Sequence, residues 1–411
     1  MSRVLVPDYF GQQVLAAIRA LRRGGDACDL ATWSRAGRLF FFRSRAVSRT
    51  FRVPDPERGE DEFVDCVLAI CGEREYEYDL VLPCGLSATR AVVSRQEEVR
   101  RRAAVVLPSL RNFEIAEDKL RVARLCRDVG IPCPRTFEVR DARELRVAAR
   151  EVGYPVVLKT ATGSGVVRGL RYASDESELE ARLGEISAEN PDLAARGAAF
   201  IVQEFIPGFI HDACALSRNG RVLNVLTQER RLMFPITGGV GAVAVTTREP
   251  ELAAIARKLL ESLDWHGPAQ VEFKLDPRDG VYKLIEMNPK LWGTLDLSIR
   301  AGMDFPGMIR DLALGREVAP DRPYTEGLRY RFWFPQASIG YLQMIRRLGL
   351  RAALDPERYQ RTFSDVTWRD PGPLLFFIYS TLTSLLDRAN CVTSNLDSAW
   401  INRLEKRLPR C

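Results

Sequence analysis

The chain contains few of the residues that most often bind transition metals or form redox sites. Only two of its 411 residues are histidine, and its nine cysteines are scattered without a Cys-x-x-Cys pair. Zinc sites need such residues at short spacing, and small secreted domains need a compact, even cysteine framework. A zinc protein and a disulfide-stapled secreted protein are therefore disfavoured. Free thiols in a reducing cytoplasm are expected.

The sequence also offers no convincing membrane segment. The first residues have too short an apolar run for a signal peptide. Residues 374–386 carry no charge, but 13 residues fall short of the roughly 20 that span a bilayer as a helix. We expect a buried helix or a dimer face there. Contact with an anionic membrane surface, aided by nearby arginines, is the less favoured alternative.

Lysine is scarce, and the excess of positive charge is small. Only seven of the 60 basic residues are lysine, and the net charge is +6 in a chain with 28 % charged residues. Such a balance gives no reason to expect a nucleic-acid partner. Because the chain uses arginine almost wherever a generic positive charge suffices, each lysine position is informative. A compact ammonium fits between phosphate oxygens where a planar guanidinium does not.

An acidic pattern lies on two predicted strands, 270–276 and 285–290. Glu272 lies on the first strand, and Glu286 and Asn288 lie two residues apart on the second. Side chains two apart on a strand share a face, and Glu272 can pair with them across the hairpin. Hard oxygen ligands of this kind suit Mg²⁺ that carries nucleotide phosphates. We predict a metal site here, with a solvated acidic hairpin as the alternative.

A glycine-containing loop follows a predicted strand that ends at Lys159. The loop contains Gly163, Ser164 and Gly165. Glycines let backbone N–H groups approach phosphate oxygens, and the lysine adds a point charge. The Gly-Lys-Ser/Thr of a Walker loop is missing. Taken alone, the loop could equally be a simple turn.

A second predicted strand breaks at a Pro-Gly pair and forms a candidate hinge. The hinge segment consists of Gln203, Glu204, Phe205 and Ile206. A strand that ends in this way exposes backbone donors and acceptors, which can read the edge of an adenine base. His211 and Asp212 follow closely and could bond ribose hydroxyls. An ordinary strand end is the alternative.

In their order along the chain, these features resemble the ATP-grasp superfamily of ligases. The resemblance covers roughly residues 113–310 and is closest in style to the carboxylate–amine ligase branch, which includes D-aspartate ligase. It implies that two lysines contact the phosphates of ATP, that the hinge reads adenine, and that acidic residues and an asparagine hold two Mg²⁺ ions, with Mn²⁺ as a substitute. The residues it assigns to these roles are Lys119, Lys159, Glu204, Asp212, Glu272, Glu286 and Asn288.

The resemblance also implies the architecture, a mixture of α/β and α+β. We expect an amino-terminal α/β pre-ATP-grasp domain at 1–112, followed by an ATP-grasp fold. Its small lobe is placed at 113–199 and its large lobe, with the metal site, at 200–315. Residues 316–411 are expected to be a helical extension. Within the small lobe, the sequence predicts a helix over 175–186 with Ser174 as its cap.

Basic residues next to the predicted cleft are candidates for substrate contacts. Arg230 and Arg231 precede a Gly-Gly loop and suit an acidic substrate or the transferred phosphate, although a solvated turn is the alternative. Lys290 follows Asn-Pro, where related ligases commonly have arginine, so the charge is kept but the bidentate geometry is lost.

Two loops of the amino-terminal region are further candidates. Ligands of open α/β sheets bind beyond the carboxyl ends of the strands, and the segments 7–11 and 83–87 follow predicted strands. The first resembles the family's substrate-side loop. Either loop could help to bind the acid or the acceptor, and a plain structural turn is equally favoured.

The predicted function is that of an ATP-dependent ligase. It would activate a small carboxylate as an acyl-phosphate and join it to an amine, less readily to a thiol, with release of ADP and phosphate. A homodimer is a further expectation. The alternatives are a nucleotide-binding regulatory protein and a phosphotransferase of the same fold.

Overall fold

A computed structural model describes residues 1–34, 43–73, 77–162, 169–189, 200–234, 240–333, 337, 345, 362–364 and 367–386. The strands of these residues form three sheets of four, seven and four strands. The predicted phosphate loop, Gly163, Ser164 and Gly165, lies outside the described residues.

The amino-terminal sheet is parallel, with the strand order β3-β2-β1-β4. Val4 and Val6 of its central strand pack against the first helix, and Leu5 packs against the second. Because alternate side chains of a strand point to opposite faces, the two helices cover opposite sides of the sheet. The elements of this region are β1 (Arg3–Pro7), α1 (Gln12–Arg23), β2 (Ala27–Thr32), β3 (Arg49–Arg52), α2 (Glu60–Gly72), β4 (Leu80–Val81), α3 (Leu86–Ser94), α4 (Gln96–Arg100) and α5 (Leu110–Glu117).

The second sheet is antiparallel and has the order β5-β8-β6-β7. Its inner face packs on two amphipathic helices, through contacts such as Leu145 and Leu179 with Leu158 and Val202. The elements are α6 (Lys119–Val129), β5 (Thr136–Val139), α7 (Ala142–Val152), β6 (Val156–Thr160), β7 (Leu170–Ala173), α8 (Glu176–Glu189) and β8 (Phe200–Glu204).

Two details of this lobe differ from the sequence predictions. Strand β8 is hydrogen-bonded to β5 and β6, so the sheet runs to Glu204, and a lobe boundary at 199 would divide it. Helix α8 is capped by Asp175, whose Oδ1 accepts from the backbone N–H of Ser177 at 2.9 Å. Ser174 instead donates its backbone N–H to Glu178. A carboxylate one residue closer to the helix satisfies the free N–H group of the first turn.

The largest sheet has the order β13-β12-β9-β10-β11-β14-β15. Ala213, Ala215, Val271 and Phe273 on one of its faces pack against α9. The residues that alternate with them, such as Glu272, therefore lie on the other face. The elements are β9 (Ile210–Arg218), β10 (Arg221–Phe234), β11 (Val240–Thr247), α9 (Pro250–Ser262), β12 (Gly267–Asp276), β13 (Val281–Asn288), α10 (Leu295–Arg300), α11 (Phe305–Ala313), β14 (Arg329–Arg331), β15 (Thr362–Ser364) and α12 (Pro371–Leu386).

The carboxy-terminal region is not a purely helical extension. Strands β14 and β15 continue the large sheet, because β14 pairs with β11 and β15 pairs with β14. Helix α12 returns to the amino-terminal domain, where Phe376 meets Phe10 edge-on at 6.0 Å. Asp370, just before α12, accepts from Arg19 at 2.8 and 3.0 Å. Among the described residues, no helix is both long and apolar enough to cross a membrane.

Gly267 fixes the start of β12 against the amino-terminal domain. Its φ is +96°, and a Cβ atom there would lie 2.6 Å from the carbonyl oxygen of Val106. We expect Gly267→Ala to lower the free energy of unfolding by about 2–4 kcal/mol, because backbone strain and a steric clash add up. Urea denaturation measures this. Gly280→Ala is the control, since its φ of +72° is also positive but no atom lies within 4 Å; equal losses in the two variants would contradict the steric argument.

Candidate active site

The three predicted metal ligands meet on the open face of the large sheet. Glu272 of β12 is the register partner of Glu286 on β13, and Gln270 is the partner of Asn288. The pairing shifts directly after Glu272, so that Ile285 is the extra residue and both acids keep the same face. Asn288 Nδ2 donates to Glu272 Oε1 at 3.1 Å and to Glu286 Oε1 at 3.2 Å.

This donor set fits a hard divalent cation. The carboxylates of Glu272 and Glu286 both contact the side-chain amide of Asn288. The nitrogen and oxygen of an amide are assigned from the hydrogen-bond network, and rotation of this amide would turn its oxygen toward the two carboxylates. Oxygen ligands of this kind suit Mg²⁺. No group of three or more His, Cys, Asp or Glu able to hold a metal is found within the described ranges. Asn288 is therefore the third donor that the arrangement offers.

The two carboxylates have opposite electrostatic environments. Burial, followed by the charges of Glu286 and Asp212, raises the pKa of Glu272 in spite of the nearby Arg230. Burial also disfavours the charged form of Glu286, but the charges of Lys119 and Lys159, with the hydrogen bond from Asn288 and the charge of Arg230, together outweigh it, and the pKa of Glu286 lies below its ordinary value. Glu286 is thus the carboxylate that the two lysines hold in its ionised form.

Lys119 and Lys159 reach this cluster from the small lobe. Lys119 is the first residue of α6, where Asp118 caps the helix, and Lys159 lies on β6. Burial lowers the pKa of Lys159 to about 8, Lys119 contributes in the same direction, and the charge of Glu286 opposes both. Lys159 Nζ donates to Gln203 Oε1 at 2.8 Å. Two lysines and two acids from different lobes therefore share one cleft.

The hinge segment joins the two lobes next to Lys159, but its side chains are engaged within the protein. Gln203 is buried and donates to Thr136 Oγ1 at 3.0 Å. Glu204 accepts from Arg278 at 2.7 Å. Burial would raise the pKa of Glu204, but hydrogen bonds from the backbone of Arg135 and from Arg278 outweigh it, and the pKa is lowered.

The following two hinge residues lie against Lys274. The ammonium of Lys274 stands 5.3 Å from the ring centroid of Phe205, and it donates to the carbonyl oxygen of Ile206 at 2.9 Å. The ring of Phe205 also meets Tyr172 edge-on at 5.8 Å. These contacts fix the course of the hinge segment.

Asp212 does not lie where a ribose contact was predicted. It is fully buried on β9, and its register partner on the neighbouring strand β12 is Glu272. Its carboxylate accepts from Arg230 at 2.6 and 3.0 Å and from Gln228 Nε2 at 2.7 Å. Because this carboxylate is neutralised inside the sheet, the structure corrects the assignment to an internal ion pair.

The two candidate arginines, Arg230 and Arg231, have different ion-pair partners. Arg230 is only 5 % exposed, and its guanidinium also donates to Glu272, so it is held between two carboxylates. It has no freedom to orient a substrate carboxylate in this arrangement. Arg231 pairs with Glu229 at 2.9 Å, and Glu229 is the partner of His211 on the opposite face of the sheet. The ion pair with Glu229 therefore holds Arg231 away from the cleft.

Lys290 remains at the cleft. It is half-buried, directly beyond β13. Burial lowers its pKa, while the charges of Glu272 and Glu286 act in the opposite direction. The charge of Asp8, at the end of β1, also reaches Lys290. The amino-terminal domain thus contributes a carboxylate to this side of the cleft.

Two polar residues of this region were missed at the level of individual positions. Asp8 belongs to one of the two loops singled out by their strand-end position, but nothing local distinguished it from its neighbours. Gln228 donates to Thr294 Oγ1 at 2.6 Å, and its Oε1 has no hydrogen-bond partner in the described part of the chain. A buried acceptor without a partner beside Asp212 leaves a position for a donor from a bound ligand.

A cavity of about 680 Å³ lies away from these residues. It is bounded by the amino-terminal domain and the segment that leads from α9 into β12, with Arg100, Asn112 and His266 in its wall. None of the predicted site residues lines it. The chemistry that the sequence points to therefore belongs to the cleft and not to this cavity.

Comparison with known proteins agrees with this geometry. Residues 118–315 match the family model described as the ATP-binding domain of the carbamoyl-phosphate synthase L chain. The D-aspartate ligase of Enterococcus faecium is 25 % identical over 291 residues, which cover 64 % of this chain and 64 % of that protein. The D-alanine–D-alanine ligase of Desulforudis audaxviator is 27 % identical over 218 residues, which cover 48 % of this chain and 68 % of that protein.

Solved structures show the same fold. Biotin carboxylase from Campylobacter jejuni superposes with a TM-score of 0.65 at 17 % identity, over 80 % of this chain and 74 % of that one. The L-amino acid ligase from Bacillus licheniformis gives a TM-score of 0.59 at 16 % identity, over 76 % and 74 %. Residues 118–315, just under half of the chain, are therefore similar to an ATP-grasp domain. The chain spans between 16 % and 64 % of the length of the first four curated relatives, three of which are carbamoyl phosphate synthase large chains.

Proposed function

We propose that the chain is an ATP-dependent ligase that activates a carboxylate as an acyl-phosphate and joins it to an amine. The observation that carries the proposal is the convergence of Glu272, Glu286 and Asn288 with Lys159 of the opposite lobe. Two acids with an amide form a hard-cation site, and two half-buried lysines beside them suit a polyphosphate. The relatives named as D-aspartate ligase and D-alanine–D-alanine ligase support the same chemistry.

The residues would divide the work as follows. Glu272, Glu286 and Asn288 would hold Mg²⁺, which screens the charge of the phosphates when it is bound. Two ions, and replacement by Mn²⁺, are part of the proposal. Lys119 and Lys159 would hold the phosphates in line, and the glycine loop after β6 would cover them. The adenine would lie against the hinge backbone.

The reaction requires two displacements and no protein nucleophile. An oxygen of the substrate carboxylate attacks the terminal phosphorus of ATP, the bond to the bridging oxygen breaks, and ADP leaves. The amine then attacks the acyl carbon, and phosphate leaves. Catalysis of this kind rests on positioning and on electrostatic stabilisation of the transferred group.

Two other functions compete with this one. A nucleotide-binding regulatory protein would not need the acids and both lysines together. A phosphotransferase of the same fold would need them, but it would release a phosphorylated acid as its product. We further propose small-molecule substrates, a homodimer and a cytoplasmic location, without a nucleic-acid partner. Cysteine usage supports the location, because all seven cysteines within the described ranges are free thiols.

The direct test is ATP turnover with Mg²⁺ in the presence of pooled amino acids and small carboxylic acids, with mass spectrometry of the products. ADP together with a condensed amide supports the ligase. A phosphorylated acid that accumulates in the presence of amines identifies the phosphotransferase. Binding of ATP without turnover for any acid contradicts the ligase and favours the regulatory protein.

Lys159 provides a specific prediction. We expect Lys159→Arg to lower kcat/KM for ATP by about 10²-fold or more, because a planar guanidinium does not reproduce the position of the half-buried ammonium beside Gln203. Steady-state kinetics measure the change. Lys258→Arg is the control, since Lys258 is exposed and donates to the carbonyl oxygen of Gly130, far from the candidate metal ligands. Equal activity of the two variants would contradict the role of Lys159.

A further inference from the structure

We propose that Asp8 binds the amine substrate and accepts its proton, so that the amine enters between the loop after β1 and the segment that follows β13. This inference rests on the proposed ligase function and adds to it the residue that recognises the second substrate. It also states the chemistry of that substrate, which must arrive as a cationic amine.

Asp8 is held in a fixed position at the carboxyl ends of two neighbouring strands. Its carboxylate accepts from the backbone N–H groups of Tyr9 and Cys84, both at 2.7 Å, and from that of Gly85. The last two precede α3, so one side chain joins the ends of β1 and β4. Ligands of parallel sheets bind at this edge. The three donors leave lone pairs on Oδ1, which accepts from Tyr9 alone among the described contacts.

Lys290 links Asp8 electrostatically to the candidate metal ligands. The charge of Lys290 acts on Asp8, and the charges of Glu272 and Glu286 act on Lys290. Phe10 and Trp292 belong to one buried core, so the loop after β1 and the segment after β13 pack on the same core. An amine placed beside Asp8 therefore lies on the amino-terminal side of the cleft, next to the acyl-phosphate that would form beside Glu272, Glu286 and Asn288.

The environment of Asp8 suits a proton acceptor. It is 3 % exposed, and burial raises its pKa to about 6 against the opposing effect of its three backbone hydrogen bonds and Lys290. The other titratable groups of the loops around it are Tyr9 and Cys84, and burial raises the pKa of the Cys84 thiol well above its ordinary value. A carboxylate of this basicity is ionised at neutral pH and still accepts a proton from a bound ammonium.

The step balances without a further reactant. The ammonium transfers one proton to Asp8, and the freed lone pair on nitrogen attacks the acyl carbon to form the C–N bond. The C–O bond to the phosphoryl group breaks, and phosphate leaves with the electron pair. The second proton on nitrogen passes to the departing phosphate, and Asp8 later releases its proton to water. The products are a neutral amide, hydrogen phosphate and one proton.

The test compares two nucleophiles in wild-type protein and in Asp8→Asn. Hydroxylamine is uncharged near neutral pH, captures an acyl-phosphate as a hydroxamate and needs no proton acceptor. The amine substrates are supplied as pooled amino acids with each acid. We expect Asp8→Asn to form the hydroxamate at a rate within about threefold of wild type, while amide formation falls by roughly 10²-fold or more.

Each outcome has one meaning. Equal loss of hydroxamate and amide in Asp8→Asn, or amide formation within about threefold of wild type, overturns the assignment of Asp8. Wild-type protein that forms no hydroxamate with any acid refutes the ligase function itself, which is a different result. Asp26→Asn is the matched control, since Asp26 is a buried carboxylate of the same domain that precedes β2 at the opposite edge and accepts from Arg310. It should leave the ratio of the two products unchanged.

A second variant displaces the carboxylate and keeps its charge. A Cβ atom on Gly85 would lie 2.9 Å from Asp8 Oδ1, and the backbone of Gly85, at a φ of −95°, accepts alanine without strain. Gly85→Ala is therefore expected to shift the product ratio in the same direction as Asp8→Asn. A Gly85→Ala protein with the wild-type ratio would contradict the proposal even if Asp8→Asn fails to fold.

Discussion

Replacing Glu286 with glutamine is expected to lower carboxylate-dependent ADP formation by about 10³-fold or more while the fold persists. Glu286 is the carboxylate whose charge both lysines stabilise, and it accepts from Asn288. Glutamine keeps the shape and removes the negative charge on which a hard cation depends. The measurement is ADP release at saturating Mg²⁺, together with a urea denaturation curve for the variant.

Glu229→Gln is the matched control for Glu286→Gln. Glu229 is a buried glutamate of the same sheet, but it pairs with Arg231 and lies on the face opposite to the cleft. We expect its substitution to leave ADP release within about threefold of wild type. Unchanged turnover in Glu286→Gln, or equal losses in both variants, would refute the assignment of Glu286 as a ligand.

Replacing Arg230 with methionine is expected to lower the free energy of unfolding by about 3–5 kcal/mol. Arg230 is buried and donates to both Asp212 and Glu272. Methionine fills much of the volume but leaves two carboxylates inside the sheet without their cation. Urea denaturation in the absence of divalent cations measures the loss, because a bound cation would itself neutralise Glu272.

Two further variants isolate this effect. Arg231→Met removes a neighbouring arginine that pairs with Glu229 alone, and its loss should be smaller than that of Arg230→Met because one carboxylate and not two loses its partner. Adding Asp212→Asn to Arg230→Met removes one of the uncompensated charges and should restore part of the stability. A loss for Arg230→Met as small as that for Arg231→Met would show that the buried ion pairs contribute little.

The three candidate metal ligands were the part of the site that the sequence predicted most directly. Glu272, Glu286 and Asn288 belong to one hairpin, so strand alternation and local pairing were enough to bring them to one face. Lys119 and Lys159 were found through their order along the chain and through the scarcity of lysine. Their approach to Glu286 depends on the closure of two lobes, which no local pattern describes.

The errors arose where distant strands decide the environment. Asp212 was a candidate for contact with ribose hydroxyls because it follows the hinge in sequence. Its register partner on the neighbouring strand is Glu272, 60 positions further along the chain. Arg230 and Arg231 are adjacent in sequence, and only their ion pairs, with Asp212 and Glu272 for the first and with Glu229 for the second, show which of them lies at the cleft. Strand β14 joins β11 from beyond residue 316, and for that reason the carboxy-terminal region could not be recognised as part of the sheet.

The most direct test of the central claim follows an oxygen atom. Wild-type protein is incubated with ATP, Mg²⁺, an amine and the substrate acid labelled with ¹⁸O in its carboxylate, and the released phosphate is analysed by mass spectrometry. An acyl-phosphate intermediate predicts that one labelled oxygen passes from the acid to phosphate, with ADP as the other product. Unlabelled phosphate, or label found in AMP, would contradict activation of the carboxylate by the terminal phosphoryl group of ATP.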